Sequence, residues 1–455
     1  MDNYKFRNHV ILRLVKLLNA LLITWMFSLC WFYYYLDRIN SPFYFKGSVL
    51  LLALFFGLYI ILGRLYDAFT INISRITEVI YSQFLAYGLT DLTMYIVICL
   101  LSSKIVNIFP GILCLLAQFV VSSLWSYISH KWYFKTYKPL PTAVIYQKDD
   151  RLSELVTSYG LNKRFDICKT IKIDEYLENV DLLNGIKAIF ITDVNSNDRN
   201  RVLKFCIENG IDVYTIPRVS DVILQGAYPV HLFHLPIYKV TRYMGQPEYL
   251  VIKRMADILI SLILLIVTLP ITMVTAICIK CYDGGPVFYK QVRLTKNGKE
   301  FNILKFRSMS VDAEKDGIAR LSTGKNDSRV TPAGRIIRKY RIDELPQLLN
   351  ILAGDLTLVG PRAERPEIHK QYCESLPEFN LRLQVKAGLT GYAQVYGKYN
   401  TTPFNKLKMD LMYISNPNII DDMKIILATV KILFMPESTE GISEGQTTAM
   451  SGKND

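Results

Sequence analysis

The sequence contains few of the residues that build zinc sites and redox centres. Its 455 residues include 5 histidines and 8 cysteines, and the cysteines are scattered, mostly inside apolar stretches. Cys278 and Cys281 have a metal or redox spacing, but no second pair completes a four-ligand site. His231 and His234 lie in a proline-containing segment without a cysteine or carboxylate cluster. We therefore assign no role to either pair.

Acidic residues are fewer than basic residues. Lysine and arginine total 53 against 40 aspartates and glutamates, which gives a formal net charge of +13. This excess suits an anionic membrane surface, an anionic substrate or nucleic acid, and charge alone does not choose between them. The long apolar runs described next argue against nucleic acid, so we expect no nucleic-acid partner.

Four apolar runs occupy the first 130 residues. Each is close to the roughly 20 residues that a helix needs to cross the hydrocarbon core of a bilayer. The runs are Leu12 to Tyr35, Ser48 to Leu65, Val79 to Ser102 and Phe109 to Ile128. The first is too long and too aromatic for a cleavable signal, and no small-residue cleavage site follows it. We expect it to remain as a membrane anchor.

Lysine and arginine flank these runs unequally. Nine lie near the start of the first run, between the second and third, or after the fourth. The opposite loops carry only Arg38, Lys46 and Lys104. Because basic loops stay in the cytoplasm, residues 1–138 are predicted to form a four-helix transmembrane domain with both ends in the cytoplasm.

Residues 139–222 alternate short apolar runs with helix-like stretches, as strands and helices do in a parallel sheet. The runs are Thr142 to Tyr146, Phe165 to Ile171, Ala188 to Thr192 and Asp212 to Ile216, and a helix-like stretch, Arg151 to Tyr159, follows the first. The turn Gln147 to Asp150 lacks the glycines that let a backbone approach a pyrophosphate. We expect a Rossmann-like cytoplasmic domain without a dinucleotide. A regulatory role, a dimerising role and a plain spacer all stay open.

A linker, residues 223–250, leads to a fifth apolar stretch, Lys253 to Ile279. It carries Asp257 in its first turn, Pro270 at its midpoint and basic residues at both ends. Since proline disrupts a helix, we expect residues 251–280 to form a re-entrant helix, broken at Pro270, that enters the membrane and returns to the same side. The alternative is an ordinary fifth span with a proline kink.

The chemistry is predicted to reside in residues 281–436. Two adjacent carboxylates, Asp343 and Glu344, follow a run of cations and precede a Gly-Pro-Arg sequence at Gly360 to Arg362. The preceding cations are Arg335, Arg338, Lys339 and Arg341. Cations can hold phosphate oxygens, while a carboxylate can bind a divalent metal or attack phosphorus. Asp343 could alternatively cap a helix that starts near Pro346.

Further cations lie on a predicted hairpin that turns at Asn297 and Gly298. Lys305 and Arg307 are two residues apart, so they are expected on one face, with Arg293 on the neighbouring strand. They could grip one phosphate, or they could simply form a solvated basic strand. Two amphipathic stretches, Leu345 to Leu352 and Ile419 to Phe434, suit either a membrane interface or a soluble core. Residues 437–455 are polar, and we expect them to be disordered.

From Lys253 to about Tyr413 the sequence closely resembles the bacterial polyprenyl-phosphate sugar-1-phosphate transferases, which initiate exopolysaccharide, capsule and O-antigen assembly. The matching motifs are Lys253-Arg254-x-x-Asp257, Gly285-Pro286-Val287-Phe288-Tyr289, Lys305-Phe306-Arg307-Ser308-Met309, Asp343-Glu344-Leu345-Pro346-Gln347, Gly354-Asp355, Val359-Gly360-Pro361-Arg362, Gly388-Leu389-Thr390-Gly391 and Ala393-Gln394-Val395. The four amino-terminal spans and the Rossmann-like domain resemble the large, multidomain branch of this family. The resemblance implies a membrane protein of the α and α/β classes, with a re-entrant helix and a small α+β catalytic domain.

The resemblance also implies a two-step reaction at the cytoplasmic face of the bacterial inner membrane. Asp343 would attack the sugar-bearing phosphate of a UDP-sugar and release UMP, and undecaprenyl phosphate would then accept the phosphosugar. Mg²⁺ would bind at Asp343 and Glu344, and Glu344 would assist metal binding or proton handling. Arg338 would hold a phosphate, and Arg362, beside Pro361 in the nucleotide-binding loop, would contact the nucleotide diphosphate.

The remaining cations are expected to bind phosphate groups of the two substrates. Lys305, Arg307 and Arg341, with Arg293 nearby, are suitable clamps for phosphate oxygens, and Lys253 and Arg254 could meet the lipid phosphate at the membrane. Two alternatives stay open: an inactive membrane scaffold or nucleotide-sugar sensor, and a conventional glycosyltransferase. The sequence does not identify the sugar, and the Rossmann-like domain offers a surface for a homodimer.

Overall fold

The structure, a computed structural model, describes residues 2–41, 43–148, 152, 156–157, 160–310, 329–397 and 401–433, with side chains from Val10 onward. The chain divides into two compact units, residues 1–216 and 217–455. The tail predicted to be disordered, 437–455, and most of the helix predicted over 151–159 lie outside the described residues.

The first unit begins with the predicted membrane bundle. Its helices are α1 (Asp2–Cys30), α2 (Phe45–Leu65), α3 (Ile76–Ser102) and α4 (Phe109–Thr136). All four are long and apolar enough to cross a membrane, which confirms the predicted spans. Each helix contacts the next, and α1 also contacts α4, so the bundle closes on itself. Large rings such as Tyr59 and Tyr87 are fully buried, while leucines such as Leu50 and Leu100 are exposed, as expected for a surface that faces lipid.

The first unit continues with a parallel four-stranded sheet in the order β2-β1-β3-β4. Its elements are β1 (Leu140–Tyr146), β2 (Phe165–Lys172), α5 (Ile173–Glu178), β3 (Ala188–Thr192), α6 (Ser196–Glu208) and β4 (Asp212–Thr215). Strands β1 and β3 are central and almost entirely buried, because aliphatic side chains occupy both of their faces. The predicted Rossmann-like sheet is therefore present.

The second unit opens with α7 (Val219–Gln225) and an antiparallel hairpin of β5 (Tyr228–Leu232) and β6 (Leu235–Lys239). A 37-residue helix, α8 (Pro247–Asp283), follows and is also long and apolar enough to cross a membrane. The helix is not interrupted at Pro270, where we expected a break, but runs on through that residue. Its return to the same side of the membrane stays a prediction. An interior proline removes one N–H donor and bends a helix without necessarily ending it, so the continuous helix is compatible with a bend at Pro270.

The rest of the second unit is a small α+β fold. Its elements are β7 (Phe288–Leu294), β8 (Glu300–Phe306), α9 (Pro332–Lys339), α10 (Gln347–Ala353), β9 (Thr357–Val359), α11 (Pro366–Ser375), β10 (Gly388–Thr390), α12 (Tyr392–Tyr396), α13 (Pro403–Ser415) and α14 (Ile419–Leu433). Strands β7 and β8 form an antiparallel hairpin, and β9 and β10 form a short parallel pair.

One large hydrophobic core joins most of these elements. Leu348 and Ile351 of α10 and Ile425 of α14 are buried in it. The soluble-core interpretation of the two amphipathic stretches therefore holds for their inner faces. Val222 of α7 lies in the same core, so this helix packs as part of the second unit.

Candidate active site

The two adjacent carboxylates lie at a sharp turn between α9 and α10. Arg341 has φ +54°, in the left-handed region that a non-glycine residue adopts at a cost of roughly 1–3 kcal/mol. A single 3₁₀ turn, Ile342–Glu344, follows it, and α10 begins after Pro346. Asp343 therefore lies within the turn and does not cap α10. The turn brings both carboxylates among cations from three separate segments.

Three of these cations surround Glu344. The Lys305 Nζ atom lies 3.4 Å from Oε1, an Arg362 guanidinium nitrogen lies 3.5 Å from the same oxygen, and an Arg341 nitrogen lies 3.9 Å from Oε2. Burial opposes the charge on Glu344, but these three cations outweigh it and lower the pKa of Glu344 to about 2. Glu344 is therefore an anion throughout the physiological pH range.

Asp343 behaves in the opposite way. Burial, and then the negative charge of Glu344, raises the pKa of Asp343 to about 6, although Lys305 and Arg338 oppose the shift. The pKa values of two neighbouring carboxylates are thus shifted in opposite directions within one turn of chain. Such separation distinguishes a group that can gain and lose a proton near neutral pH from one that stays charged.

Lys305 reaches the carboxylates from the carboxyl-terminal end of β8. Its side chain is mostly buried, and burial lowers its pKa while Glu344 opposes the shift. The strand is fixed to α10 by Asn350, whose amide accepts from the Leu304 backbone N–H at 2.9 Å and donates to the Asn302 carbonyl at 2.9 Å. Asn350 therefore sets the distance between Lys305 and the carboxylate turn.

Arg338, on the last turn of α9, has an unusual guanidinium. Its Nη1 atom is buried and has no hydrogen-bond partner among the described residues. A buried, charged N–H group without an acceptor is costly, and its charge acts on Asp343. An anion bound beside Asp343 would supply the missing acceptor.

The loop after β9 carries Pro361 and Arg362. It is held against β10 by the Gly360 N–H bonded to Thr390 O at 2.8 Å and the Gly388 N–H bonded to Pro361 O at 2.9 Å. The backbones approach so closely that a Cβ atom on Gly388 would lie 2.1 Å from the Gly360 nitrogen. Glycine is required there because any side chain would displace the loop.

A buried charge cluster that the sequence did not reveal supports this loop. Arg382 donates to the Arg362 carbonyl at 3.0 Å, pairs with Asp410 at 2.7 Å and lies 3.5 Å from Glu364. Lys406 adds a further positive charge beside Glu364. Residues 364, 382, 406 and 410 have no common spacing, so no sequence pattern indicates that they meet.

Two predicted phosphate ligands also bond to protein groups, although the Arg293 Nε atom is buried without a partner among the described residues. Arg307 lies just beyond the end of β8 and forms a two-pronged ion pair with Asp283, while its Nε atom donates to Pro286 O at 2.8 Å. Arg293 donates to Ala363 O at 3.0 Å and to Gln291 Oε1 at 2.7 Å, and burial lowers its pKa to about 10. Arg293 therefore supports the Arg362 loop, and Arg307 anchors the end of α8.

The residues predicted at the membrane also have internal partners. Arg254 donates to the carbonyls of Ile351 and Leu352 at 2.6 and 2.9 Å and so caps the end of α10. Buried Asp257 accepts from the Thr357 hydroxyl at 2.6 Å and the Leu358 N–H at 3.0 Å. These contacts join the beginning of α8 to the segment that leads into the Arg362 loop.

The other end of α8 packs against the same unit. Ile279 is buried with Phe306 of β8 and Ile337 of α9. Pro270 lies between the two attached ends, among exposed residues such as Leu269 and Ile271. The apolar middle of α8 is thus left to contact lipid, while both its ends contact one folded unit.

The donor set suits Mg²⁺ only in the presence of a substrate. Among the described residues no group of three or more His, Cys, Asp or Glu side chains could hold a metal ion. Mg²⁺, however, is commonly bound by one or two carboxylates together with substrate phosphates. Asp343 is the carboxylate with capacity for such a contact, because three cations already surround Glu344.

Comparison with known proteins agrees with this geometry. Residues 248–436 match a family model described as bacterial sugar transferase. The chain is 36% identical over 253 residues to UDP-N-acetylgalactosamine-undecaprenyl-phosphate N-acetylgalactosaminephosphotransferase of Aeromonas hydrophila, covering 55% of this chain and 59% of that protein. It is 36% identical over 212 residues to UDP-glucose:undecaprenyl-phosphate glucose-1-phosphate transferase of Klebsiella pneumoniae, covering 46% and 43%.

A shorter relative is matched almost throughout. Exopolysaccharide production protein PSS of Rhizobium leguminosarum bv. phaseoli is 41% identical over 190 residues, which are 40% of this chain and 94% of that protein. The chain thus spans about half the length of the Aeromonas and Klebsiella relatives and nearly all of the Rhizobium protein. The residues matched by the family model, 248–436, lie within the second unit.

Proposed function

Because the chain belongs to the bacterial sugar transferase family, we propose that it transfers a sugar-1-phosphate from a UDP-hexose to undecaprenyl phosphate and releases UMP. The observation that carries this proposal is the carboxylate pair with opposed pKa shifts inside a ring of cations. Relatives named for this kind of reaction on UDP-glucose and UDP-N-acetylgalactosamine support the donor and acceptor classes.

Asp343 is the proposed nucleophile. One of its carboxylate oxygens attacks the phosphorus that bears the sugar, and the bond from that phosphorus to the bridging oxygen of UDP breaks, so UMP leaves with the electron pair. A phosphate oxygen of undecaprenyl phosphate then attacks the same phosphorus, and the Asp343 carboxylate leaves. The product is a diphosphate-linked sugar on the lipid, and Asp343 returns to its starting form.

The pKa of about 6 suits this role. Above its pKa Asp343 is ionised and can attack, while burial keeps its charge poorly solvated and therefore reactive. Glu344 holds Lys305, Arg341 and Arg362 in place, where their charges can stabilise the oxygens of the transferring phosphoryl group. The unpaired Arg338 nitrogen would bind another of these oxygens.

Asp343 would hold Mg²⁺, which when bound would supply positive charge to neutralise the charge that develops on the leaving phosphate. The three cations around Glu344 leave that residue a weaker candidate ligand, so its proposed part is electrostatic.

The proposed site of action is the cytoplasmic face of the bacterial inner membrane. A helix whose two ends contact one folded unit, as α8 does, suits a re-entrant path that leaves the site beside the lipid headgroups. Such a step would begin the synthesis of an exopolysaccharide, a capsule or an O-antigen. The Rossmann-like domain is a candidate surface for a homodimer.

Product identity tests the proposal. Purified protein, Mg²⁺, undecaprenyl phosphate and a panel of radiolabelled UDP-sugars should yield UMP and a lipid-linked sugar diphosphate. Release of UDP would show a conventional glycosyltransferase, and no turnover with any donor would favour the scaffold or sensor alternative. Asp343→Asn should abolish turnover without unfolding the protein, because an amide is a poor nucleophile. Glu367→Gln, an exposed change in the same unit, is the matched control.

A further inference from the structure

The interior of the membrane bundle carries a polar ladder between α3 and α4. Three residues of α3 and three of α4 recur every four positions, so each set lies on one helix face. The rungs are Gln83–Ser126 at 3.1 Å, Tyr87–Ser122 at 3.5 Å and Asp91–Gln118 at 3.3 Å. The first two rungs join neutral groups. The third contains the one ladder residue that can carry a full charge, Asp91.

Asp91 lies deep within its span. It is sixteenth of the 27 residues of α3, far from either end of the helix. Its Oδ1 atom accepts from Gln118 Nε2, but its Oδ2 atom is buried without a partner, as is Gln118 Oε1. Gln118 itself is completely buried. An unsatisfied polar atom in hydrocarbon is strongly destabilising, and this one pair contains two.

The two orphan atoms, Asp91 Oδ2 and Gln118 Oε1, both lack a hydrogen-bond donor. An ionised carboxylate only accepts hydrogen bonds, and an amide oxygen also only accepts. If Asp91 is ionised, neither oxygen can therefore satisfy the other. A single proton on Oδ2 makes that atom a donor to Gln118 Oε1, and the two side chains then form a cyclic acid–amide pair in which both orphan oxygens have a partner.

The surroundings favour a proton over a metal ion. The titratable groups within electrostatic reach of Asp91 are the thiols of Cys30 on α1 and Cys114 on α4 and the phenol of Tyr87 on its own helix. None of these is a cation that would pair with an ionised carboxylate. Within the described residues, no cluster of His, Cys, Asp and Glu side chains suits a metal ion.

We infer that Asp91 and Gln118 form a proton-binding site inside the membrane bundle, with Asp91 held as a neutral acid that donates to Gln118. This inference concerns the first unit and is independent of the proposed transferase reaction.

Infrared spectroscopy of the full chain in lipid nanodiscs tests it. At pH 8 the wild type should show the C=O stretching band of a protonated carboxylic acid, and Asp91→Asn should lose that band. Glu78→Gln, at the first turn of α3, should retain it. Asp91→Asn should also keep the wild-type melting temperature, because an amide replaces a neutral acid with little change in shape or charge.

Gln118→Leu provides a second measurement should Asp91→Asn fail to fold. It leaves the acid but removes its partner, so the band should shift to higher frequency. A wild-type spectrum without the band, or a band that neither substitution alters, would overturn the inference. A band that appears only when choline replaces Na⁺ would also overturn it, since the site would then bind a metal cation.

Discussion

The ammonium group of Lys253 lies 2.7 Å from Asp422 Oδ2, and the Tyr413 hydroxyl donates to the other oxygen of that carboxylate at 2.8 Å. Tyr413 also lies 3.2 Å from the Val359 carbonyl, immediately before the Arg362 loop. This arrangement connects the first turns of α8, the last helix and the loop through one buried carboxylate. Lys253 is thereby assigned a structural partner, where its sequence position suggested a lipid phosphate.

Breaking this ion pair should destabilise the protein. Asp422→Asn leaves the mostly buried Lys253 charge without its partner, at an expected cost of about 3–5 kcal/mol. Asp421→Asn, in the neighbouring exposed pair with Lys424, should cost less than about 1 kcal/mol. Thermal unfolding in detergent measures both variants. Equal effects would show that the Lys253 pair is no more important than a surface contact.

The acid side of the pH–activity profile should report Asp343. Since its raised pKa is about 6 and the attacking form is ionised, kcat/KM should fall as the pH drops through about 6. Glu344→Gln removes the neighbouring charge that contributes to this rise, so the fall should move to lower pH, although kcat also drops. Glu367→Gln should leave the profile unchanged. A fall that stays near pH 6 in Glu344→Gln would contradict the assigned coupling.

Arg307 should matter for stability and not for donor binding. Its guanidinium is nearly buried against Asp283, so Arg307→Lys, which cannot form the two-pronged pair, should lower the free energy of unfolding by about 1–3 kcal/mol. The KM for the UDP-sugar should change by less than about twofold. A large rise in KM without loss of stability would restore the phosphate role that the sequence suggested.

Asn350 should influence activity without touching substrate. Asn350→Leu removes two buried hydrogen bonds to β8 and leaves the Leu304 N–H and Asn302 carbonyl unsatisfied, at about 1–3 kcal/mol each. Because β8 carries Lys305, kcat should fall as well. Asn350→Asp retains the acceptor for Leu304 and should recover part of both losses. The melting temperature and kcat of the two variants, compared side by side, provide the measurement.

Local patterns predicted the elements well, because apolar run lengths and alternation depend on nearby residues. The membrane helices, the parallel sheet and the β7–β8 hairpin follow from such patterns. The partners of the basic side chains did not follow from these local patterns. The two-residue spacing of Lys305 and Arg307 places side chains on one face only while a strand continues, and β8 ends at Phe306. Arg307 therefore reaches Asp283 instead of the carboxylate turn.

Long-range charge pairs were equally invisible in the sequence. Arg382 meets Asp410 and Glu364 because a 3₁₀ segment, a helix and the loop before α11 pack together, and the separations of these residues along the chain carry no period. The same holds for Arg254, whose partners are backbone carbonyls almost 100 residues away. A sequence identifies which groups could bind a phosphate, whereas tertiary packing decides which of them already have a partner.

The contact between Gly360 and Gly388 limits how this fold can change. Since two backbones touch there without room for a Cβ atom, neither strand can be lengthened, tilted or exchanged without moving Arg362. Changing which UDP-sugars are accepted would therefore require substitutions of side chains around the loop, because the backbone at this contact has almost no room to move.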